Sequence, residues 1–217
     1  MRNAVETRIK LLETAMQLLW SSSYHHVGVS EICKQAGVTK GAFYHHFESK
    51  AALFAAAGRH YWDKSKDALR DVFSPDVTPL DQFNRYIDLV VEGQVNKPFC
   101  GDVEISGCPL FTAGGQVGPE DGEVQACSQE LASEQIKYLA SMVRGLKGDG
   151  MLDGDAEVMV LARMMFQYVQ GLLSYGKVFG CMDTVRSDLR EGLCRILDLK
   201  HKYRGLKTVS LPVSVSA

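Results

Sequence analysis

Apolar residues recur at spacings of three and four along almost the whole chain, while the strict alternation that marks half-buried strands is missing until its last few residues. That pattern confines the polypeptide to an all-α fold. From about Thr7 to Trp20, Leu11, Leu12, Ala15, Leu18 and Leu19 share one helical face, with Arg8, Lys10, Glu13 and Gln17 around the rest. Short helices are predicted over Val29–Ala36, ended by Gly37, and over Lys40–Phe47, capped by Thr39. Ser49 caps a longer helix from Lys50 to about Val72, and Pro79 in a first helical position opens another through about Gln94. Lys97 to Gly107 reads as a loop, and the glycine-rich stretch Cys108 to Gly122 as a short helix followed by a loop. Helices from about Glu123 to Leu146, Asp155 to Phe179 and Asp183 to Leu199 complete the expected set. Beyond Lys200 lies a basic then apolar tail to which the sequence assigns no role.

The chain has 217 residues, 46% of them hydrophobic, enough to bury a substantial core. Its net charge of -2 argues against a protein that coats nucleic acid or anionic membrane over its whole surface. The charge is uneven, however. Up to Lys66 there are nine Lys or Arg against five Asp or Glu, and five of the six histidines, so a basic head precedes an acidic body. Local binding of a polyanion by one lobe fits that asymmetry. The six cysteines are irregularly spaced and read as reduced thiols, and neither a signal peptide nor a membrane span is apparent, so the expected location is the cytoplasm.

Gly37-Val38 joins two short helices by a turn that suits a sharply angled helix-turn-helix pair. On the second helix Phe43 and Phe47, four apart, point inward together, which turns Lys40, Ala42, Tyr44 and His45 outward or to the flanks. The outward set has the chemistry of a DNA reader. Lys40 can donate to guanine acceptors or phosphate, and Gly41 removes a side chain where backbone must approach closely. Tyr44, His45 and His46 offer donors to phosphate oxygens, and Lys50 with the first amides of the following helix makes a further anion site.

The string Ile32-Cys33-Lys34-Gln35-Ala36-Gly37-Val38-Thr39-Lys40-Gly41-Ala42-Phe43-Tyr44-His45-His46-Phe47, followed by Ser49-Lys50-Ala51-Ala52-Leu53-Phe54, closely resembles the DNA-binding head of TetR-family regulators. The resemblance is tight from the first helix to the start of the fourth, and beyond that extends only to helix number, length and order. It implies a three-helix DNA-binding domain at 1–49 and a helical ligand-binding and dimerisation domain at 50–199, with 200–217 as a tail. It further implies a homodimeric repressor that leaves a palindromic operator when a small molecule binds the body. By the same resemblance Lys40, Gly41 and Ala42 approach base edges. Thr39, Tyr44, His45, His46 and Lys50 hold phosphates, helped by Gly28 to Ser30. Two departures stand out: Ser23 replaces a frequent glycine after the first helix, and Gly28 replaces a frequent threonine or serine cap.

Two heads must be held about one helical turn of DNA, or a multiple, apart, so some body surface has to dimerise. The resemblance points to the last two long helices, with Leu161, Leu172, Tyr175, Leu189, Leu193 and Ile196 as interface candidates. Trp62, Tyr86, Phe99, Phe111, Tyr138, Met165, Phe166 and Tyr168 are candidate pocket-lining residues. An absence of clustered basic side chains among them suggests an apolar or uncharged effector. Cys108, at a helix start after Gly107, is a candidate pocket residue and reactive thiol, because a helix N-terminus favours thiolate. That gives an alternative reading as a redox- or electrophile-sensing regulator. A thiol enzyme is disfavoured because the region after His60 has no histidine before His201 to serve as base. No cofactor and no metal site are expected, since neither Cys-x-x-Cys nor His-x-x-x-His occurs. An interaction module without DNA binding is a third possibility.

Overall fold

Side-chain and glycine caps stop and start the helices of the head at the residues that the sequence marks for it. In the computed structural model, which describes residues 2–95, 105 and 107–205, α1 spans Arg2–Ser21, α2 Val29–Ala36, α3 Lys40–His46 and α4 Lys50–Val72. Gly37 takes the left-handed conformation (φ 66°, ψ 35°) that a residue with a Cβ adopts only at a cost, and its amide closes α2. Thr39 Oγ1 accepts the Ala42 N–H at 3.1 Å, and Ser49 Oγ accepts the Ala52 N–H at 2.8 Å. A 3-10 turn at Tyr24–His26 links α1 to α2.

The body continues with α5 (Pro79–Val95), α6 (Pro109–Gln116), a 3-10 turn at Pro119–Asp121, α7 (Gly122–Gly148), α8 (Val158–Phe179), α9 (Met182–Ile196) and a terminal turn α10 (His201–Arg204). Two ends in the body differ from expectation for local reasons. Helix α8 starts at Val158 rather than near Asp155, because the Glu157 carboxylate accepts the amides of Met159 and Val160 at 2.8 and 2.9 Å. Helix α9 stops short of Leu199, because Asp198 turns left-handed (φ 48°) and lets Leu199 pair with Leu152 in an isolated antiparallel bridge. The single turn α10 was not foreshadowed by any apolar spacing.

Two main apolar clusters result. Leu11, Leu12, Ala15, Tyr24, Ile32 and Phe43 knit the head, and that cluster runs on through Leu53, Phe54 and Ala57 of α4 to Ala113 of α6 and Val124 of α7. The other cluster fills the body between α5, α7, α8 and α9. Helix α6 touches α1, α7 and the Tyr24–His26 turn, so it lies between the head and the rest of the body. A Cβ at Gly58 would meet Leu110 at 3.0 Å and Cys127 at 3.1 Å, which is how closely α4 approaches α6 and α7.

Within the single chain, most of the expected dimer-face residues are already covered. Leu161, Leu172, Leu189 and Leu193 lie in the chain's own core, with Leu189 and Leu193 fully buried, and Ile196 packs against that core. An apolar stripe at helical spacing says that a face is covered, not by what. Among the six candidates Tyr175 alone is exposed, stacked on Phe179 with ring centroids 4.3 Å apart. The open apolar surface of α8 is instead Met159, Val160, Met164, Tyr175, Val178 and Phe179, with Val178 80% exposed.

Candidate nucleic-acid interface

Helix α3 divides as its spacing demands. Phe43 is fully buried and meets the Phe47 ring at 6.2 Å, which anchors the middle and the C-terminal end of a two-turn helix to the head's core. Lys40, Gly41, Tyr44 and His45 are exposed, Ala42 and His46 half-exposed, and Tyr44 alone offers 58% of its surface. Ser30, Gly28 and Thr39 are exposed as well. A Cβ at Gly41 would meet only Thr39 Oγ1, at 3.7 Å, so nothing within the protein demands a glycine there. Thr39 is already committed as the cap of α3, with its hydroxyl hydrogen still free to donate.

Lys50 is held more firmly than a purely outward phosphate donor. Its ammonium donates to the Tyr24 carbonyl at 3.1 Å and stands 4.1 Å from the centre of the Tyr24 ring. Tyr24 is wholly buried, and burial, followed by the Asp121 carboxylate, keeps its phenol protonated far above the ordinary range. Lys50 therefore ties α4 to the turn before α2 and retains other N–H donors. Beside Tyr24, His25 Nε2 donates to the Gln116 carbonyl at 2.7 Å, a direct strap from the head to the end of α6.

Sequence reasoning missed Arg8. Its guanidinium lies 5.2 Å from the centre of the Phe47 ring, at the C-terminal end of α3, and the residue is exposed. The His46 ring is 6.4 Å from Phe47 and the His45 ring 5.1 Å from His46, so Arg8 extends the donor surface of α3 onto α1. Only a tertiary contact reveals this, because 39 residues separate Arg8 from Phe47.

In the body, Leu69, Phe73, Tyr86, Gln135, Tyr138 and Leu139 surround a small void of about 20 Å³ that is partly open to solvent. Of the expected lining, Tyr86 and Tyr138 are there, and Trp62 packs edge-on against Tyr138 at 6.5 Å. Phe73 joins both tyrosines, 6.0 Å from one and 5.4 Å from the other. The other candidates are placed elsewhere. Met165 is core, the Tyr168 hydroxyl donates to the Asp188 carbonyl at 2.8 Å with its ring over Gly192, and Phe111 pairs edge-on with Phe166. Phe99 lies outside the described residues. Cys108 is the half-exposed N-cap of α6. Burial, and after it the charge of Cys108, holds the Tyr86 phenol well above its ordinary range. Among the described residues no His, Cys, Asp and Glu group could hold a metal ion, and no helix is long and apolar enough to cross a membrane.

Residues 11–57, from the core of α1 into α4, match the family model described as bacterial regulatory proteins, tetR family. Over 162 residues the chain is 35% identical to the HTH-type transcriptional repressor NemR of Escherichia coli strain K12, covering 74% of this chain and 79% of that one. The chain belongs to the tetR family. A second relative, the uncharacterized HTH-type transcriptional regulator YuxN of Bacillus subtilis strain 168, is 22% identical over 167 residues. That match covers 76% of this chain and 55% of YuxN, so this chain spans little more than half of that relative's length. The fold agrees with its solved counterparts. The reduced form of E. coli NemR superposes with a TM-score of 0.73 at 23% identity, covering 89% of this chain and 99% of that one. A cysteine mutant of the tetR-family regulator CifR, complexed with 26-base-pair operator DNA, superposes with a TM-score of 0.71 at 21% identity, covering 85% and 93%.

Proposed function

We propose that this protein is a ligand-responsive transcriptional repressor that binds operator DNA as a homodimer and releases it when a small molecule enters the body. The observation that carries this reading is the division of α3: a fully buried Phe43 behind an exposed row of Lys40, Gly41, Tyr44 and His45. Lys40, Gly41 and Ala42 supply base readout, while Gly28, Ser30, Thr39, Tyr44, His45, His46, Lys50 and Arg8 contact phosphate and sugar. Residues 1–49 form the DNA-binding domain and 50–199 the sensing and dimerising domain, in the cytoplasm. The open face of α8, Met164, Tyr175, Val178 and Phe179 above all, is where a second copy packs. Named relatives support regulation over catalysis: NemR is a transcriptional repressor, and CifR was crystallised on operator DNA.

The water-sized aromatic void between α4, α5 and α7 is the effector's place once its walls part, and Phe73, Tyr86 and Tyr138 would then face a small, flat, uncharged molecule. Electrophile sensing through Cys108 is a second reading, favoured by a half-exposed thiol at the N-cap of α6 whose charge acts on Tyr86. Helix α6 leads from that thiol to the Gln116 carbonyl held by His25, which gives a change at Cys108 a short route to the head. Gel-shift titration against the promoter region beside its own gene tests the main reading: one tight, saturable site is expected, and uniform weak binding to all duplexes contradicts it. Operator release by an electrophile, lost in Cys108→Ser but kept in Cys181→Ser, is the expected outcome for the second. Release that persists in Cys108→Ser removes it.

A further inference from the structure

Between α5 and α9, apart from the recognition surface, a half-buried arginine meets a buried asparagine with no counter-charge among the described residues. Arg190 Nη2 donates to Asn84 Oδ1 at 2.8 Å, and the guanidinium carbon stands 5.8 Å from the centre of the Phe83 ring. Asn84 is 2% exposed. Arginine has donors only, so the amide atom facing it must be the oxygen, and the other amide atom is a donor. Both remaining groups, Asn84 Nδ2 and Arg190 Nη1, are fully buried and have no hydrogen-bond partner. Two linked donors, one of them charged, therefore lack an acceptor in one small polar island.

Buried polar groups in folded proteins are almost always paired, and an unpaired buried charge is among the costliest exceptions. Among the described residues no acidic side chain of either helix turns to this island. Asp81 accepts from the Thr78 hydroxyl, Asp188 from the Ser187 hydroxyl and Glu191 from Arg195, while Asp88 is exposed. Arg190 forms no ion pair among the described residues. The surroundings are of low polarity: burial lifts the thiol of Cys194, one turn along from Arg190, even though the guanidinium charge pulls the other way. Phe83, beside the guanidinium, and Leu193 and Cys194, one turn along α9, belong to the body's apolar core.

We propose that Asn84 and Arg190 form a binding site for the carboxylate group of a small organic monoacid. A carboxylate brings two acceptor oxygens for the two free donors, and guanidinium is the side chain that pairs with it best. Its single charge is the one that a lone guanidinium neutralises, whereas a phosphate dianion would leave a net charge buried. The adjoining apolar core takes a short alkyl or aryl group. The ligand closes the seam between α5 and α9, so it stabilises the body. The site is separate from the operator surface and does not depend on the repressor reading.

Thermal unfolding of the full-length protein tests the site, with chloride replaced stepwise by acetate or by benzoate at constant ionic strength. At about ten times the dissociation constant the wild-type Tm is expected to rise by about 4 °C and to saturate. Arg190→Gln is expected to give a flat response. Asn84→Asp places a carboxylate beside Arg190 within the chain, so it is expected to raise the Tm without added acid and to abolish the response to acetate; it keeps the test decisive if Arg190→Gln does not fold. A wild-type Tm that is the same in chloride and in both acids overturns the proposal. So does an unsaturable rise shared by all three proteins, or an Asn84→Asp protein that is less stable and still responds.

Discussion

The head and the body are built from the same kind of amphipathic helix, yet they differ in what decides their structure. In the head the deciding interactions are local. Gly37 sets the turn by its own backbone angle, Thr39 and Ser49 cap helices three residues away, and Phe43 and Phe47 face inward because they are four apart. In the body they are remote: Tyr168 ends on the Asp188 carbonyl, Arg190 reaches Asn84 across 106 residues, and α6 wedges between α1 and α7. A short-range structure presents a fixed surface, which suits reading DNA. A long-range one can shift when a ligand favours one packing over another, which suits sensing.

The strongest way to break this contrast is to remove the fully buried anchor of α3. Phe43→Ala is expected to cost about 3–5 kcal/mol of stability, as for a fully buried phenylalanine, and to abolish operator binding. Chemical denaturation and a gel shift check it; tight binding in the variant would mean that α3 is not held from behind. Next in size is the body's open face. Val178→Glu is expected to leave a folded monomer, because the side chain is 80% exposed in one chain, and to weaken operator binding roughly 10²–10⁴-fold by uncoupling the two heads. Sedimentation would show the change of mass, and an unchanged dimer would move the interface off α8.

Smaller effects sharpen the comparison within the head. Thr39→Ala removes the cap of α3 and is expected to cost about 1 kcal/mol of stability, read by thermal unfolding. Arg8→Gln is expected to weaken binding to all duplexes by a similar factor and to lower the slope of log affinity against log salt by about 1. An unchanged slope would confine Arg8 to packing on Phe47.

The same contrast explains what was legible in the sequence. The bounds of α2 and α4, the caps and the outward face of α3 were readable, because each follows from residues within one or two turns. The stripes through Leu161, Leu189 and Leu193 were equally clear as apolar faces, but a stripe carries no label for its partner, and these pack within the chain. The void could be anticipated only through Tyr86 and Tyr138, since Leu69 and Phe73 at the end of α4 meet Gln135 and Leu139 of α7 from far away in sequence. Arg8 escaped for the same reason. Glu157 shows the limit at short range: a carboxylate cap looks like any other acidic residue in a loop until the Met159 and Val160 amides turn toward it.

The central claim, that the outward face of α3 reads bases through Lys40 while its neighbours hold the backbone, is tested most directly by one titration. Lys40→Ala and wild-type protein would be measured on the operator and on a random duplex across a range of salt. The expected result is a loss of about ten- to hundredfold in the ratio of operator to random affinity, with the random duplex weakened only as one lost charge requires. An equal loss on both duplexes would make Lys40 a phosphate contact and contradict the division of labour along α3.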